Sequence, residues 1–411
     1  MDVLRAMSER GLVFQMTDED SIRRLLDEER LVFYVGFDAT APSLHLGHMV
    51  PLMAASWLQK AGHKPLILVG GATALVGDPS GRSTERTVET KETVDSWAGG
   101  ISAQLPRFLR FGRGSSDAEL LNNADWLGRL GYLDFIRDIG RHFSVNRMLT
   151  ADSVRLRLEK GLSFLEFNYM PLQAYDYLHL YRSRECTLQI GGADQWGNIV
   201  AGIELVRRTE GREVYGMTCP LVTSSNGEKM SKSMPGGAVW LDPAMTTPYD
   251  YYQFWMNVDD RDAISFLKLY TFLPLDGIEE YEGLRGEETR RAKSRLAWEA
   301  TAIAHGPAEA DKARDAARAL FGGDGGGASV PTGTASLESL EKGSLSYTDL
   351  FVSSGLCPSR TEVRRLARQN GLTAGGAPVA NPDAAVDPSS VRDGSLLLRV
   401  GKKKHCRIVF E

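Results

Sequence analysis

The stretch Phe37-Asp38-Ala39-Thr40-Ala41-Pro42-Ser43-Leu44-His45-Leu46-Gly47-His48 joins two runs of different character. Leu31 to Phe37 is rich in β-branched and aromatic residues, as a buried strand would be, and Met49 to Ala61 consists mostly of apolar helix formers. Between them Ala41-Pro42 favours extended backbone, so the segment reads as strand, loop and helix. A helix that opens after such a loop offers unpaired N–H groups, and the positive end of its dipole, to an anion. His45 and His48 can donate hydrogen bonds as neutral imidazoles, and Gly47 lets a flat ring come close to the backbone. Pro51 costs no hydrogen bond if the helix begins near His48, because the first four helical N–H groups have no partner. Two plainer readings fit the same residues: a surface turn with two solvated histidines, or a metal-binding HxxH pair. A zinc site needs further ligands, and Cys186, Cys219, Cys357 and Cys406 are scattered without a CxxC.

With 411 residues, 42% of them apolar and 25% charged, the chain has ordinary globular composition and room for two or three domains, each with a sizeable core. No apolar run approaches the roughly 18 residues of a membrane span. Met1 to Ser21 is acidic and polar where a targeting peptide would be apolar or arginine-rich. Together with few cysteines, this predicts a cytoplasmic protein. Residues 345 to 411 carry ten Lys/Arg against six Asp/Glu, a balance of +4 that leaves −9 on the rest of a chain whose net charge is −5. A basic module on an acidic body points to a polyanionic partner, with a solvated charged surface as the alternative.

Residues 1 to 30 read as a helical preface, with Thr17-Asp18-Glu19-Asp20 as a capping start. Pro65 to Val69 reads as a second buried strand. It runs into Gly70-Gly71-Ala72-Thr73 and then Gly77-Asp78-Pro79-Ser80-Gly81, and glycines at the carboxyl ends of parallel strands are where open α/β sheets take ligands. Arg82 and Arg86 follow, available to phosphate oxygens. Residues 88 to 170 show helical patterns alternating with short loops. From Tyr169 a helix carries Gln173 and Asp176 at i+4 and i+7, on the same face. The strand Cys186 to Ile190 ends in Gly191-Gly192-Ala193-Asp194-Gln195-Trp196-Gly197-Asn198, whose acid could hold ribose hydroxyls. The loop Ser224 to Gly237 sets Lys229 and Lys232 between Asn226-Gly227 and Pro235-Gly236-Gly237, turns that would let it move over a phosphate site. Tyr249 to Gly306 is helical in pattern, and Phe321 to Ser329 reads as a glycine-rich linker. Beyond it Ser359 to Asn370 reads as a basic helix and Ser395 to Phe410 as a hairpin with Lys402-Lys403-Lys404 at its turn.

Taken together, Asp38-Ala39-Thr40 with His45-Leu46-Gly47-His48, and Lys229-Met230-Ser231-Lys232-Ser233 about 180 residues later, resemble the paired signatures of the class I aminoacyl-tRNA synthetases. The glycine-rich strand ends resemble the bacterial tyrosyl branch of that family, and the basic tail is similar to an RNA-binding module. The resemblance implies an α/β fold: a Rossmann-like parallel-sheet catalytic domain with a dimerising insertion over residues 1–245, a helical domain over 246–320, a linker over 321–344 and an α+β RNA-binding domain over 345–411. It implies activation of L-tyrosine with ATP, with Mg2+ on the nucleotide and release of pyrophosphate, then transfer to the 3′ end of tRNA(Tyr) by a homodimer that has Phe164 at its interface. By the same resemblance Tyr34 and Asp176 meet the phenol hydroxyl, while Tyr169, Gln173 and Asp78 meet the ammonium group. Asp194 and Gly192 contact the ribose, and Gln195, Gly36, Asp38 and Gly47 line the adenylate site. Thr40, His45, His48, Arg82, Arg86, Lys229 and Lys232 act on the phosphates. Pro51 and Arg82 stand where some relatives carry threonine and lysine. The competing readings are a tryptophanyl enzyme, a small adenylyltransferase, and an RNA-binding protein on an inactive synthetase scaffold.

Overall fold

The computed structural model describes residues 2–80, 88–158, 161–223, 238–321, 332–392, 394–401 and 404–411. The chain forms two compact units, Met1–Pro307 and Ala308–Glu411.

The first unit is built on a six-stranded sheet: β1 (Gln15–Met16), β2 (Val32–Asp38), β3 (Lys64–Gly70), β4 (Glu119–Asn122), β5 (Leu188–Gly192) and β6 (Tyr215–Cys219), in the order β1-β6-β5-β2-β3-β4. All neighbours are parallel except β1, which runs antiparallel to β6. In β3 the residues Pro65 to Gly70 are all buried, as a central parallel strand covered on both faces requires. The cover comes from α1 (Leu46–Lys60), which packs on β2, β3, β5 and β6, and from α2 (Tyr169–Arg184) and α3 (Trp196–Glu210), which pack on each other. Residues Met49 to Gln59 of α1 are buried on every side, so this helix is apolar all round rather than amphipathic. Each fully buried side chain such as Leu52 or Leu58 contributes roughly 1.5–3 kcal/mol. On the other face Tyr34, Leu66 and Leu68 share a core with Ala174, Tyr177 and Leu205.

Several expectations change in detail. The preface contains the helices Val3–Glu9 and Glu19–Glu28, the second capped by Asp18 as anticipated, but β1 lies between them. Two residues are too short for periodicity to show. β4 likewise lies inside a segment read as helices and loops. Helix α1 begins at Leu46, not near His48, so Pro51 sits at its sixth position, where its absent N–H would otherwise have paired with the carbonyl of Gly47.

The helices α4 (Pro248–Met256), α5 (Ala263–Tyr270) and α6 (Thr289–His305) belong to the first unit rather than forming a separate body. Arg10 ties them down. Its guanidinium stacks over Trp57 of α1 at 4.2 Å and donates to the carbonyls of Lys268, Thr271 and Leu273 at the end of α5. Arg107 donates to the carbonyl of Ala304 at 2.6 Å, and the Tyr251 hydroxyl of α4 lies 3.4 Å from Met49 Sδ of α1.

In the second unit, β7 (Thr332–Ala335), β8 (Leu372–Ala374), β9 (Ala377–Pro378), β10 (Ser395–Val400) and β11 (Lys404–Phe410) form a sheet in the order β7-β11-β10-β8-β9. Its core contains Leu350, Phe351, Val363, Leu372, Leu398 and Ile408. The hairpin and the helix Arg360–Arg368 stand where the pattern put them, while Lys402 and Lys403 lie outside the described residues. The module starts earlier than 345, because β7, read as linker, pairs in parallel with β11.

Candidate active site

A cavity of about 610 Å³ opens at the carboxyl ends of β2, β3 and β5. From β2 the sheet continues through β3 and β4 on one side and through β5 and β6 on the other, and such a reversal of strand order leaves a crevice. Tyr34, Gly36, Asp38 and Thr40 line it from β2 and the loop that follows. His45, Gly47, His48 and Pro51 line it from the start of α1, and Tyr169, Gln173 and Asp176 from α2. Asp78, Gly192, Asp194 and Gln195 complete the set of anticipated residues on its wall. Arg82, Arg86, Lys229 and Lys232 lie outside the described residues.

At the helix start His45 is the N-cap: its Nδ1 accepts from the Gly47 N–H at 3.0 Å, and His48 Nδ1 accepts from the His45 N–H at 3.3 Å. Both Nδ1 atoms are therefore acceptors, which puts each proton on Nε2 and makes Nε2–H the donor. The rings stack at 3.8 Å with 13° between their planes, and Phe37 meets His48 edge-on. Committing both Nδ1 atoms to the backbone also disfavours a shared metal. Among the described residues no group of three or more His, Cys, Asp or Glu could hold a metal ion.

The segments flanking the lysine loop meet this site. Pro220, Leu221 and Val222 line the cavity on one side of it. On the other, Leu46 N–H donates to Val239 O and Leu241 N–H to Leu44 O, with Trp240 tilted against His45.

At another wall, Tyr34 is 1% exposed and its hydroxyl has no hydrogen-bond partner. Burial, reinforced by the nearby charge of Asp176, holds this phenol well above its usual range. Asp176 accepts from Trp126 Nε1 at 2.7 Å and from Asn123 Nδ2 at 3.0 Å. Burial nevertheless pushes its carboxyl up to about 7, those two hydrogen bonds opposing the rise. Tyr169 donates to Asp38 Oδ2 at 2.8 Å, and Asp78 accepts from Gln195 Nε2 at 2.7 Å and from the Ser80 N–H at 2.9 Å. Gln173 Oε1 is buried without a partner, and so is Gln189 Oε1 on the strand position opposite Tyr34. A buried polar atom left unpaired costs about 1–3 kcal/mol, so three such atoms on one cavity wall mark places for a polar ligand.

Sequence reasoning missed Asn123 and Gln189, which line the cavity, and Trp126, which reaches Asp176; Thr73, which also lines the cavity, figured only as the end of the stretch Gly70-Gly71-Ala72-Thr73, with no role assigned. Asn123 follows directly on β4, so recognising that strand would have marked it as a strand-end residue.

Residues 26–322 match the family model for tRNA synthetases class I (W and Y). A tyrosine–tRNA ligase of Caldanaerobacter subterraneus subsp. tengcongensis is 46% identical over 411 residues, covering 100% of both chains. One of Clostridium tetani is 47% identical over 410 residues, covering 100% of this chain and 99% of its own. Among solved structures, a C-terminally truncated Aspergillus nidulans mitochondrial tyrosyl-tRNA synthetase superposes with a TM-score of 0.70 at 32% identity, covering 78% of this chain and 94% of that one. With its signature helix start and its reversed-order parallel sheet, the chain belongs to the class I tRNA synthetases (W and Y).

Proposed function

We infer that this chain activates L-tyrosine with ATP and transfers it to the 3′ end of tRNA(Tyr). The observation that carries this reading is the match between the cavity's unpartnered groups and the two polar ends of tyrosine. Tyr34 offers an orphaned hydroxyl beside the acceptor Asp176, so a substrate phenol would accept from the first and donate to the second. An ammonium group only donates. Gln173 Oε1 is an orphaned acceptor, Asp78 is a carboxylate, and Tyr169 has committed its proton to Asp38 and keeps its oxygen lone pairs. An indole lacks the hydroxyl that Tyr34 and Asp176 would share, which favours tyrosine over tryptophan.

In the first step the substrate carboxylate attacks the α-phosphorus of ATP and pyrophosphate leaves. A ribose hydroxyl at the tRNA 3′ end then attacks the activated carbonyl and AMP leaves. The nucleophile arrives with the substrate, so the protein accelerates the reaction by positioning and by stabilising charge. His45 and His48 donate from Nε2 toward the phosphates, and Thr40, Arg82, Arg86, Lys229 and Lys232 add donors and positive charge. Asp38, Gly36 and Gly47 line the nucleotide side, with Asp194 and Gly192 at the ribose and Gln195 at the adenylate. Mg2+ travels on the nucleotide, where it neutralises phosphate charge.

The basic module beyond the glycine-rich segment grips tRNA phosphates. Leu133 and Phe164, 79% and 69% exposed, lie with Tyr132, Ile136 and Leu165 in residues 132–165, apolar surface that supports a homodimer. A sedimentation mass of one chain would refute it. No helix among the described residues is long and apolar enough to cross a membrane, in keeping with work in the cytoplasm. The function is tested by tyrosine-dependent exchange of pyrophosphate into ATP. Absence of exchange in a protein that still binds tRNA would favour the inactive-scaffold alternative.

A further inference from the structure

The two ends of the cavity are joined by a single run of hydrogen bonds. Tyr169 Oη donates to Asp38 Oδ2 at 2.8 Å, and Thr73 Oγ1 donates to Asp38 Oδ1 at 2.7 Å. Asn123 Nδ2 donates to Thr73 Oγ1 at 2.9 Å and to Asp176 Oδ2 at 3.0 Å, and Trp126 Nε1 donates to Asp176 Oδ1 at 2.7 Å. The direction of every bond is fixed by chemistry. At Asp176 both partners can only donate, because the indole N–H has no acceptor and Asn123 is held in one amide orientation, its Oδ1 accepting from the Ala72 N–H at 2.8 Å; at Asp38 a carboxylate only accepts. Thr73 is the one member between the two carboxylates whose single group both accepts and donates. It is 2% exposed and lines the cavity. The end of β3 is shaped around it: a Cβ on Gly70 would overlap both Asp38 Oδ1 and Thr73 Oγ1.

We propose that Thr73 is a positioning residue that couples recognition of the substrate's ammonium end, at Tyr169 through the Asp38 carboxylate that takes its proton, to recognition of its phenol end, at Asp176. The inference rests on the reading of the cavity as a tyrosine site. The hydroxyl fixes the Asp38 carboxylate on one side and, through the Asn123 amide, the Asp176 carboxylate on the other. A ligand that orders one carboxylate therefore orders the other, and the two ends of tyrosine bind cooperatively.

The test is a cycle over four ligands: tyrosine, phenylalanine without the hydroxyl, 3-(4-hydroxyphenyl)propanoate without the ammonium, and 3-phenylpropanoate without either. Dissociation constants are measured for the full chain and for Thr73→Val, which removes the hydroxyl at nearly constant shape, and Thr73→Ser, which keeps it. In the parent and in Thr73→Ser, losing both groups should weaken binding less than the product of the two single losses, by about 5-fold or more. In Thr73→Val the two losses should multiply to within about twofold. Thr73→Ala is read in the same way should the valine variant not fold. Equal coupling with and without the hydroxyl, or none in the parent, overturns the proposal. If the parent binds tyrosine and phenylalanine alike, the reading of the cavity as a tyrosine site fails instead.

Discussion

Replacing Tyr34 by Phe should change stability and activity in opposite directions, and both magnitudes follow from one atom. The Tyr34 hydroxyl is buried and unpartnered in the chain without substrate, whereas the ring is held edge-on against Tyr177 at 5.3 Å. Tyr34→Phe keeps that ring contact and removes a polar atom whose unpaired burial costs about 1–3 kcal/mol, so the first unit should become more stable by up to that amount. In the complex the same hydroxyl donates to the substrate phenol, a neutral hydrogen bond with a net value of about 0.5–1.5 kcal/mol. Its loss should lower kcat/KM for tyrosine by roughly 2- to 12-fold. Phenylalanine brings no partner for the hydroxyl of the parent, and the variant has no hydroxyl there to satisfy, so its kcat/KM should hold and the preference for tyrosine should narrow by the same factor. Pyrophosphate exchange with each amino acid, together with denaturant unfolding of both proteins, measures the two effects. Equal losses for tyrosine and phenylalanine, or a less stable variant, would refute the reasoning.

Asp176 supplies a pH dependence. Its folded value of about 7 exceeds the ordinary 3.8, so protonated Asp176 favours the folded chain; the contribution is whole below about pH 4 and is lost as pH rises through 7. Asp176→Asn should therefore gain stability over the parent at pH 8 relative to pH 4, by on the order of 4 kcal/mol at most, read from unfolding curves at the two pH values. In the parent, kcat/KM for tyrosine should climb through pH 7 as the carboxylate that accepts the phenol proton forms. A Cβ on Gly202 of α3 would stand 3.0 Å from Tyr177 Cδ1 and 3.2 Å from its Cβ, so Gly202→Ala should press Tyr177 against Tyr34 and raise KM for tyrosine more than it lowers kcat; an unchanged KM would count against the packing. Lys232→Ala should slow single-turnover adenylate formation while leaving tyrosine affinity nearly intact, and a variant with normal rate but weakened tyrosine binding would contradict its assignment to the transition state. Deleting residues from 332 onward should preserve pyrophosphate exchange, lower tRNA charging and flatten the salt dependence of tRNA affinity, whereas full charging at limiting tRNA would exclude the module as the RNA grip.

The sequence made the strand–loop–helix unit legible because β2 and α1 are long, apolar and set apart by Pro42, and because helix-start chemistry needs few residues. The anticipated residues that are described line one cavity for the same reason: glycine-rich strand ends and one helix face are local signals. What stayed hidden depends on contacts between distant residues. β1 and β4 have two and four residues and exist because β6 and β3 offer them paired edges. β7 likewise needs β11, more than 60 residues downstream, so its own composition reads as linker. Asn123 has no pattern of its own, and Thr73 shows only as the last residue of a glycine-rich strand end; the two meet because β3 and β4 end side by side, which only the register of the sheet determines. Pro51 costs a hydrogen bond that a helix start near His48 would have spared, since the cap is His45 and the helix starts earlier.

Arg10 decides how the enzyme can move. Its guanidinium clamps Trp57 of α1 to the carbonyl end of α5, and Arg107 and Tyr251 add two further bolts between the same parts of the chain. A hinge between the nucleotide fold and these helices would have to strip a buried cation of its carbonyl partners, which a thermal fluctuation does not do cheaply. Opening and closing around ATP therefore falls to individual loops rather than to swinging lobes. Scattering profiles of residues 1–307 with and without ligand should superpose, even as the backbone amides around the cavity change their exchange rates.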